Sequence, residues 1–232
     1  MRFGVVSEEM EFPINILAIE RAVRLVATAR LRDPVLLHLV DQNQLADLAE
    51  IEGATSGRVQ EENLATELLP GGRPHSNFVN AAFAYFRPQE INRFNNHERG
   101  AWYASLQVET AIAEVGFHMQ REFGRINDYR ATVEYSEMWA SFAGSFVDLR
   151  NVEPAPDCLH ADPAIGYPAG NLIAQQVIAE EHNGIIYPSV RRPEGTCLVA
   201  LWPHVVQSVA QGRVIRLIWA GRPDYIIEHV DG

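Results

Sequence analysis

Residues 100–115 read Gly100-Ala101-Trp102-Tyr103-Ala104-Ser105-Leu106-Gln107-Val108-Glu109-Thr110-Ala111-Ile112-Ala113-Glu114-Val115. Two kinds of element meet in this stretch. Ala101–Ala104 has the aromatic content of a short strand, and Ser105 precedes a helix expected from about Leu106 to Phe123. On that helix Val108, Ile112, Val115 and Met119 fall on one apolar stripe, with Glu114 on its flank near Gln107 and His118. Glu109 lies in the first turn, where a carboxylate suits the positive end of the helix dipole, and Gly124 is the expected stop.

Working downstream, Arg130–Tyr135 alternates as a strand does. Asn151–Gly170 carries Pro154, Pro156, Pro163 and Pro168 and is expected to be loop, after which Leu172–Glu181 reads as helix. Gly184–Tyr187, Thr196–Leu201 and Val214–Ala220 read as buried strands. Upstream, Val79–Phe86 is apolar and aromatic, and a polar loop to Gly100 holds Arg87, Arg93 and Arg99. Pro70–Pro74 reads as a loop or a boundary, Gln42–Ile51 as a short helix, and Ala22–Thr28 admits either helix or strand. Short strands with few helices predict an α+β fold: a mixed, mostly antiparallel central sheet flanked by helices. The expected organisation is one domain over residues 1–232. Residues 1–75 would be an N-terminal extension contributing at least one strand or helix, and residues 76–220 the motif-bearing core.

At 232 residues and 47% hydrophobic, the chain can bury a single sizeable core and is not disordered. Its net charge of −11 argues against a nucleic-acid-binding face, although local arginine clusters could hold a small phosphorylated ligand within an acidic envelope. Cys158 and Cys197 are too few and too far apart for a disulfide framework or a metal-binding pair. Glu114-x-x-x-His118 offers only two ligands, and His38, His75, His160 and His182 share no ligand spacing, so no metal site is expected. Residues 1–12 hold Glu8, Glu9 and Glu11 against one arginine, unlike a secretory leader, and no run approaches the ~18 apolar residues of a membrane span. A cytoplasmic protein is expected. No glycine-rich dinucleotide fingerprint, phosphate loop or His-Glu-x-x-His helix is present, and Ser189 does not sit in a Gly-x-Ser-x-Gly elbow.

Several local blocks together resemble the RES family. They are Asn92-Arg93-Phe94-Asn95, the Gly100–Ser105 strand, the Leu106–Val115 stretch with its Glu-Thr-Ala-Ile-Ala-Glu run, and Gly184-Ile185-Ile186-Tyr187-Pro188-Ser189-Val190-Arg191. The similarity spans roughly residues 78–201. Upstream, Ala22-Val23-Arg24-Leu25-Val26 is the nearest match to the family's first arginine segment, with valine in place of the usual aromatic. The resemblance implies a fold related to ADP-ribosyltransferase toxins and NAD as substrate, with no bound cofactor. It also implies neutralisation by a cognate antitoxin, commonly with an Xre-like helix-turn-helix domain, and homodimerisation by analogy.

Cleaving nicotinamide from NAD develops positive charge on the ribose. Such a site needs an anion near the sugar, donors for the diphosphate and an aromatic wall. By resemblance Glu114 is the anion, Arg93 and Arg24 hold the diphosphate, and Tyr103 and Ser189 position nicotinamide. Pattern alone leaves blander readings open. Glu114 could be a solvated helix residue, with Glu109 explained by its first-turn position. Arg93 is not distinguished from Arg87 and Arg99, Tyr103 could be core, and Ser189 could be a turn residue. Arg191 and Arg192 could meet phosphate or solvate a turn. The ADP-ribosyl acceptor is water, inorganic phosphate or a protein, and a catalytically silent antitoxin-binding module is the reading from another class.

Overall fold

The computed structural model describes residues 12–28, 68–70, 75–84 and 91–230. The helix expected at Gln42–Ile51, the Pro70–Pro74 loop apart from Pro70 itself, and Arg87 lie outside them. The described elements run β1 (Ile14–Ala27), α1 (Ser76–Ala84), β2 (Trp102–Ser105), α2 (Val108–Ile126), β3 (Arg130–Asp148), α3 (Pro163–Ala179), β4 (Gly184–Pro188), β5 (Thr196–Ala200), β6 (Val206–Ala220) and β7 (Tyr225–Val230). This is an α+β fold with one seven-stranded, mixed and mostly antiparallel sheet in the order β1-β2-β5-β4-β3-β6-β7.

The long strand β3 organises that sheet. One edge pairs antiparallel with β1 from Tyr135 to Val147. The opposite edge pairs first with β6, from Arg130 to Phe142, and then parallel with β4, from Phe146 to Asp148. Because β1 also meets β2 at Val23 and Ser105, the pairings close a ring, β1-β2-β5-β4-β3-β1. The exchange from β6 to β4 occurs at Gly144, whose φ of 126° is strained for any residue with a side chain. The Asn183 side-chain amide fills the space there: its Oδ1 accepts the Ser145 N–H at 2.9 Å, while the backbone N–H of Asn183 donates to the Ser145 carbonyl at 2.8 Å.

Three apolar clusters pack on this frame. Phe83 of α1 joins Trp102, Phe142 and Leu198. Ile173 and Val177 of α3 pack on Ile185, Val199 and Leu201. Ala111 and Ile112 of α2 pack on Val23, Ile215, Leu217 and Trp219, and Val108, Val115 and Met119 complete the predicted stripe.

Several sequence-based boundaries change. Ala22–Ala27 is the end of a strand, β1, and not helix, and Thr28 lies just beyond it. α2 continues past Gly124 to Ile126, and Asn127 ends it in the left-handed region at φ 52°. Ser105 is the last residue of β2, so Gln107 and not Ser105 stands at the helix N-cap. The proline-rich stretch is not loop throughout. Pro163 is tolerated at the start of α3 because its missing N–H would have had no helical partner, and the Asp162 carboxylate caps the Ala164 N–H at 2.9 Å. β3 and β6 run well beyond Arg130–Tyr135 and Val214–Ala220, and β7 was not expected.

Gly144→Ala forces a side chain into the left-handed region, with its Cβ 2.3 Å from the Asn183 Oδ1 position. A loss of about 1–3 kcal/mol is expected in chemical denaturation. An alanine variant as stable as the parent would show that the β3 exchange does not depend on this glycine.

Candidate active site

A cavity of about 420 Å³ opens where β1, β2, α2, α3 and the residue 92–101 loop converge. Arg24, Arg93, Tyr103 and Glu114 line it; Ser189 does not.

Glu114 projects from the middle of α2 toward the turn after β4. The Ser189 hydroxyl donates to its Oε1 at 2.7 Å. The same hydroxyl oxygen receives the backbone N–H groups of Arg191 and Arg192, each at 3.1 Å. One donor and two lone pairs are then all used. Ser189 therefore holds Glu114 and the turn, with its donor and both lone pairs engaged there. Cys197, facing Ser105 across β2 and β5, also approaches Oε1, at 3.7 Å. Burial pushes its thiol up to about 12, so it is not a thiolate at neutral pH. The N-terminus of α2 is braced to the same turn: Thr110 donates to Gln107 and accepts from Arg192, and Gln107 accepts the Thr196 N–H.

Arg93 enters from a tight loop with bridges Asn92–Asn95 and Asn96–Arg99. It is buried, and its Nη1 donates to the carbonyls of Cys158 and His160. Two neighbours fix the loop. The Tyr103 hydroxyl accepts the Phe94 N–H and donates to Asn95 Oδ1, both at 2.9 Å. Asn171 of α3 donates to the Asn92 carbonyl at 2.7 Å. Helix and loop meet at Gly170, where a Cβ would stand 2.0 Å from the Arg93 carbonyl oxygen. Tyr103 thus offers the cavity its ring and not its hydroxyl. Burial holds that phenol well above its ordinary value, so it stays neutral.

The remaining arginines separate by environment. Arg24 on β1 lies 5.0 Å over the Trp102 ring and faces the cavity. Arg99 is turned away, stacked 4.2 Å over Trp202 and donating to the Leu201 carbonyl. Arg191 lines the cavity, with its guanidinium 3.4 Å over Phe117. Sequence reasoning named Arg191 only as one of two possibilities and missed Tyr167 and Tyr187, which also line the space. Glu109, the rival to Glu114, is exposed in the first turn of α2. Among the described residues no group of three or more His, Cys, Asp or Glu side chains could hold a metal ion.

His118 stands one turn beyond Glu114. Its surface is open to the cavity, yet the surrounding protein desolvates it, and Arg121, Arg191 and Arg93 add like charge. Together these push it down from 6.5 to about 4. The imidazole is neutral at pH 7. The unfolded chain takes up this proton near 6.5 and the folded protein only near 4, so His118 costs stability as pH falls through that window. Two-dimensional NMR should place its midpoint below 6.5, and Arg121→Gln or Arg191→Gln should raise it. An unshifted midpoint would remove the electrostatic picture of this wall.

A family model, the RES domain, matches residues 70–220. No curated protein matches the chain.

Proposed function

The chain belongs to the RES-domain family, whose domains are NAD-related and toxin-like, and from that premise we propose that it cleaves the nicotinamide–ribose bond of NAD. The observation that carries this reading is a carboxylate, Glu114, held at a cavity wall by Ser189, with buried Arg93 on the same cavity.

Each group has a task in the proposed reaction. Ser189 occupies Oε1 of Glu114, and among the described residues Oε2 has no protein partner. That oxygen is available to face positive charge developing on the ribose. Arg93 spends Nη1 on two carbonyls, which fixes the guanidinium plane and leaves its other nitrogens for the diphosphate. Arg24 supports the same group from β1. The rings of Tyr103, Tyr167 and Tyr187 supply the aromatic wall for the base. In the step itself the C–N bond breaks with its electron pair leaving on nicotinamide. An acceptor oxygen, from water or inorganic phosphate, then bonds to the ribose carbon and releases its proton. Ser189 is a positioning residue for Glu114, a revision of its expected contact with nicotinamide.

The biological setting that goes with this chemistry is a cytoplasmic toxin neutralised by a cognate antitoxin with an Xre-like helix-turn-helix domain. A net charge of −11 suits a basic partner of that kind.

Proton NMR of NAD incubated with the purified chain, with and without phosphate, tests the reaction. Free nicotinamide is expected from the parent. Glu114→Gln should lower kcat by about a hundredfold or more. Arg93→Ala should act mainly on KM, and Ser189→Ala should lower kcat with KM little changed. Intact NAD with the parent under every condition would overturn the proposal, and so would a Glu114→Gln variant as fast as the parent. Label transferred from NAD to a protein band would replace hydrolysis or phosphorolysis with protein modification.

A further inference from the structure

Three guanidinium groups gather on the α2–α3 side of the cavity around two aromatic rings. Arg191 lies 3.4 Å over Phe117. Arg121 lies 5.8 Å over the same ring and 5.9 Å over Tyr167, and Arg93 lies 5.5 Å over Tyr167 from the loop. Among the described residues none of the three forms an ion pair with a carboxylate. Glu114, on the same cavity, acts on Arg191 through space without pairing with it, so the three cations share two rings with no direct counter-ion.

The pose of Arg191 adds a second observation. Its Nη2 is shut off from solvent and has no hydrogen-bond partner. A buried charged donor without an acceptor is costly, so the contact with Phe117 is a resting position that leaves a bond unmade. The residue lines the cavity, and rotation about its terminal torsions would carry Nη2 to an anion there. Its backbone N–H is meanwhile held by the Ser189 hydroxyl that also holds Glu114. Glu114, Glu122 and His118 are the other titratable groups on this wall, and His118, neutral at pH 7, adds no further positive charge.

The geometry points to a phosphoryl-binding subsite formed by Arg191 and Arg93, with Arg121 as a third charge behind them. Planar guanidinium groups approaching from the β4–β5 turn and from the loop match an anion with several charged oxygens. That phosphoryl group could be the dinucleotide's own or a free phosphate serving as acceptor. The identity of the ligand, though not the existence of the subsite, rests on the NAD reading above.

The test is calorimetric titration of the full chain with inorganic diphosphate. The parent should bind. Arg191→Gln should weaken binding roughly ten- to a hundredfold, and Arg121→Gln by a smaller factor. Arg191→Lys, which keeps the charge, should fall between, and exposed Arg222→Gln should bind as the parent does. A thermal melt of each variant separates lost binding from lost fold.

No binding by the parent would overturn the subsite. So would folded Arg191→Gln and Arg121→Gln proteins that bind like the parent, or an equal loss in Arg222→Gln. Repeating the titration with saturating ADP-ribose distinguishes the sources. Exclusion of inorganic phosphate and diphosphate assigns the subsite to the dinucleotide, and phosphate binding beside ADP-ribose assigns it to the acceptor. Diphosphate binding by a parent that leaves NAD intact would sink the NAD reading and keep the subsite. NAD cleavage indifferent to Arg121 and Arg191 would do the reverse.

Discussion

The exchange of partners along β3 is the constraint on which the cavity depends. A strand has two edges, and β3 uses both: β1 occupies one, and β6 and then β4 occupy the other. The exchange needs a residue at φ 126° and a polar group to take up the backbone freed between the two ladders. Gly144 and Asn183 supply these. Without the exchange β4 could not join β3, and the ring through β5, β2 and β1 would stay open. That ring places Arg24 on β1, Tyr103 on β2, Tyr187 on β4 and Cys197 on β5 around one space.

Around Glu114 and Arg93 the polar groups are largely spent on one another. Ser189 exhausts its hydroxyl on Glu114 and two backbone donors. Tyr103 exhausts its own on the loop that carries Arg93, and Arg93 commits one nitrogen to two carbonyls. What these three residues leave toward the cavity is a remainder: one carboxylate oxygen, the other nitrogens of Arg93 and an aromatic face, beside Arg24, Arg191 and His118. A remainder held in place in this way is what the proposed reaction would draw on as charge develops. The cations beside it are concentrated in a molecule whose net charge is −11.

Elements with an unambiguous period were readable in advance. The α2 stripe, the aromatic β2 and the apolar β4 and β5 each carry a pattern that survives packing, because one face or both faces are buried throughout. β3 was read only to Tyr135. Beyond it Ser136 and Glu137 are buried with Tyr135 and Met138, so both faces are covered and the alternation disappears. The start of α3 was missed because proline is a breaker inside a helix and a good first residue, and composition does not say which position it holds.

Sequence alone determined the α+β class and, through motif resemblance, singled out Arg93 and Glu114. Those are properties of local pattern and residue identity. Tertiary structure decided which of these side chains share a cavity and which atoms remain free there. It separated Arg93 from Arg99 by turning one to the cavity and stacking the other on Trp202. It set the Ser189 hydroxyl against Glu114, and it brought Arg121 and Arg191 beside Arg93. These outcomes depend on hydrogen-bond saturation and on close approach between segments far apart in the chain. Neither leaves a trace in the spacing of residues along one segment.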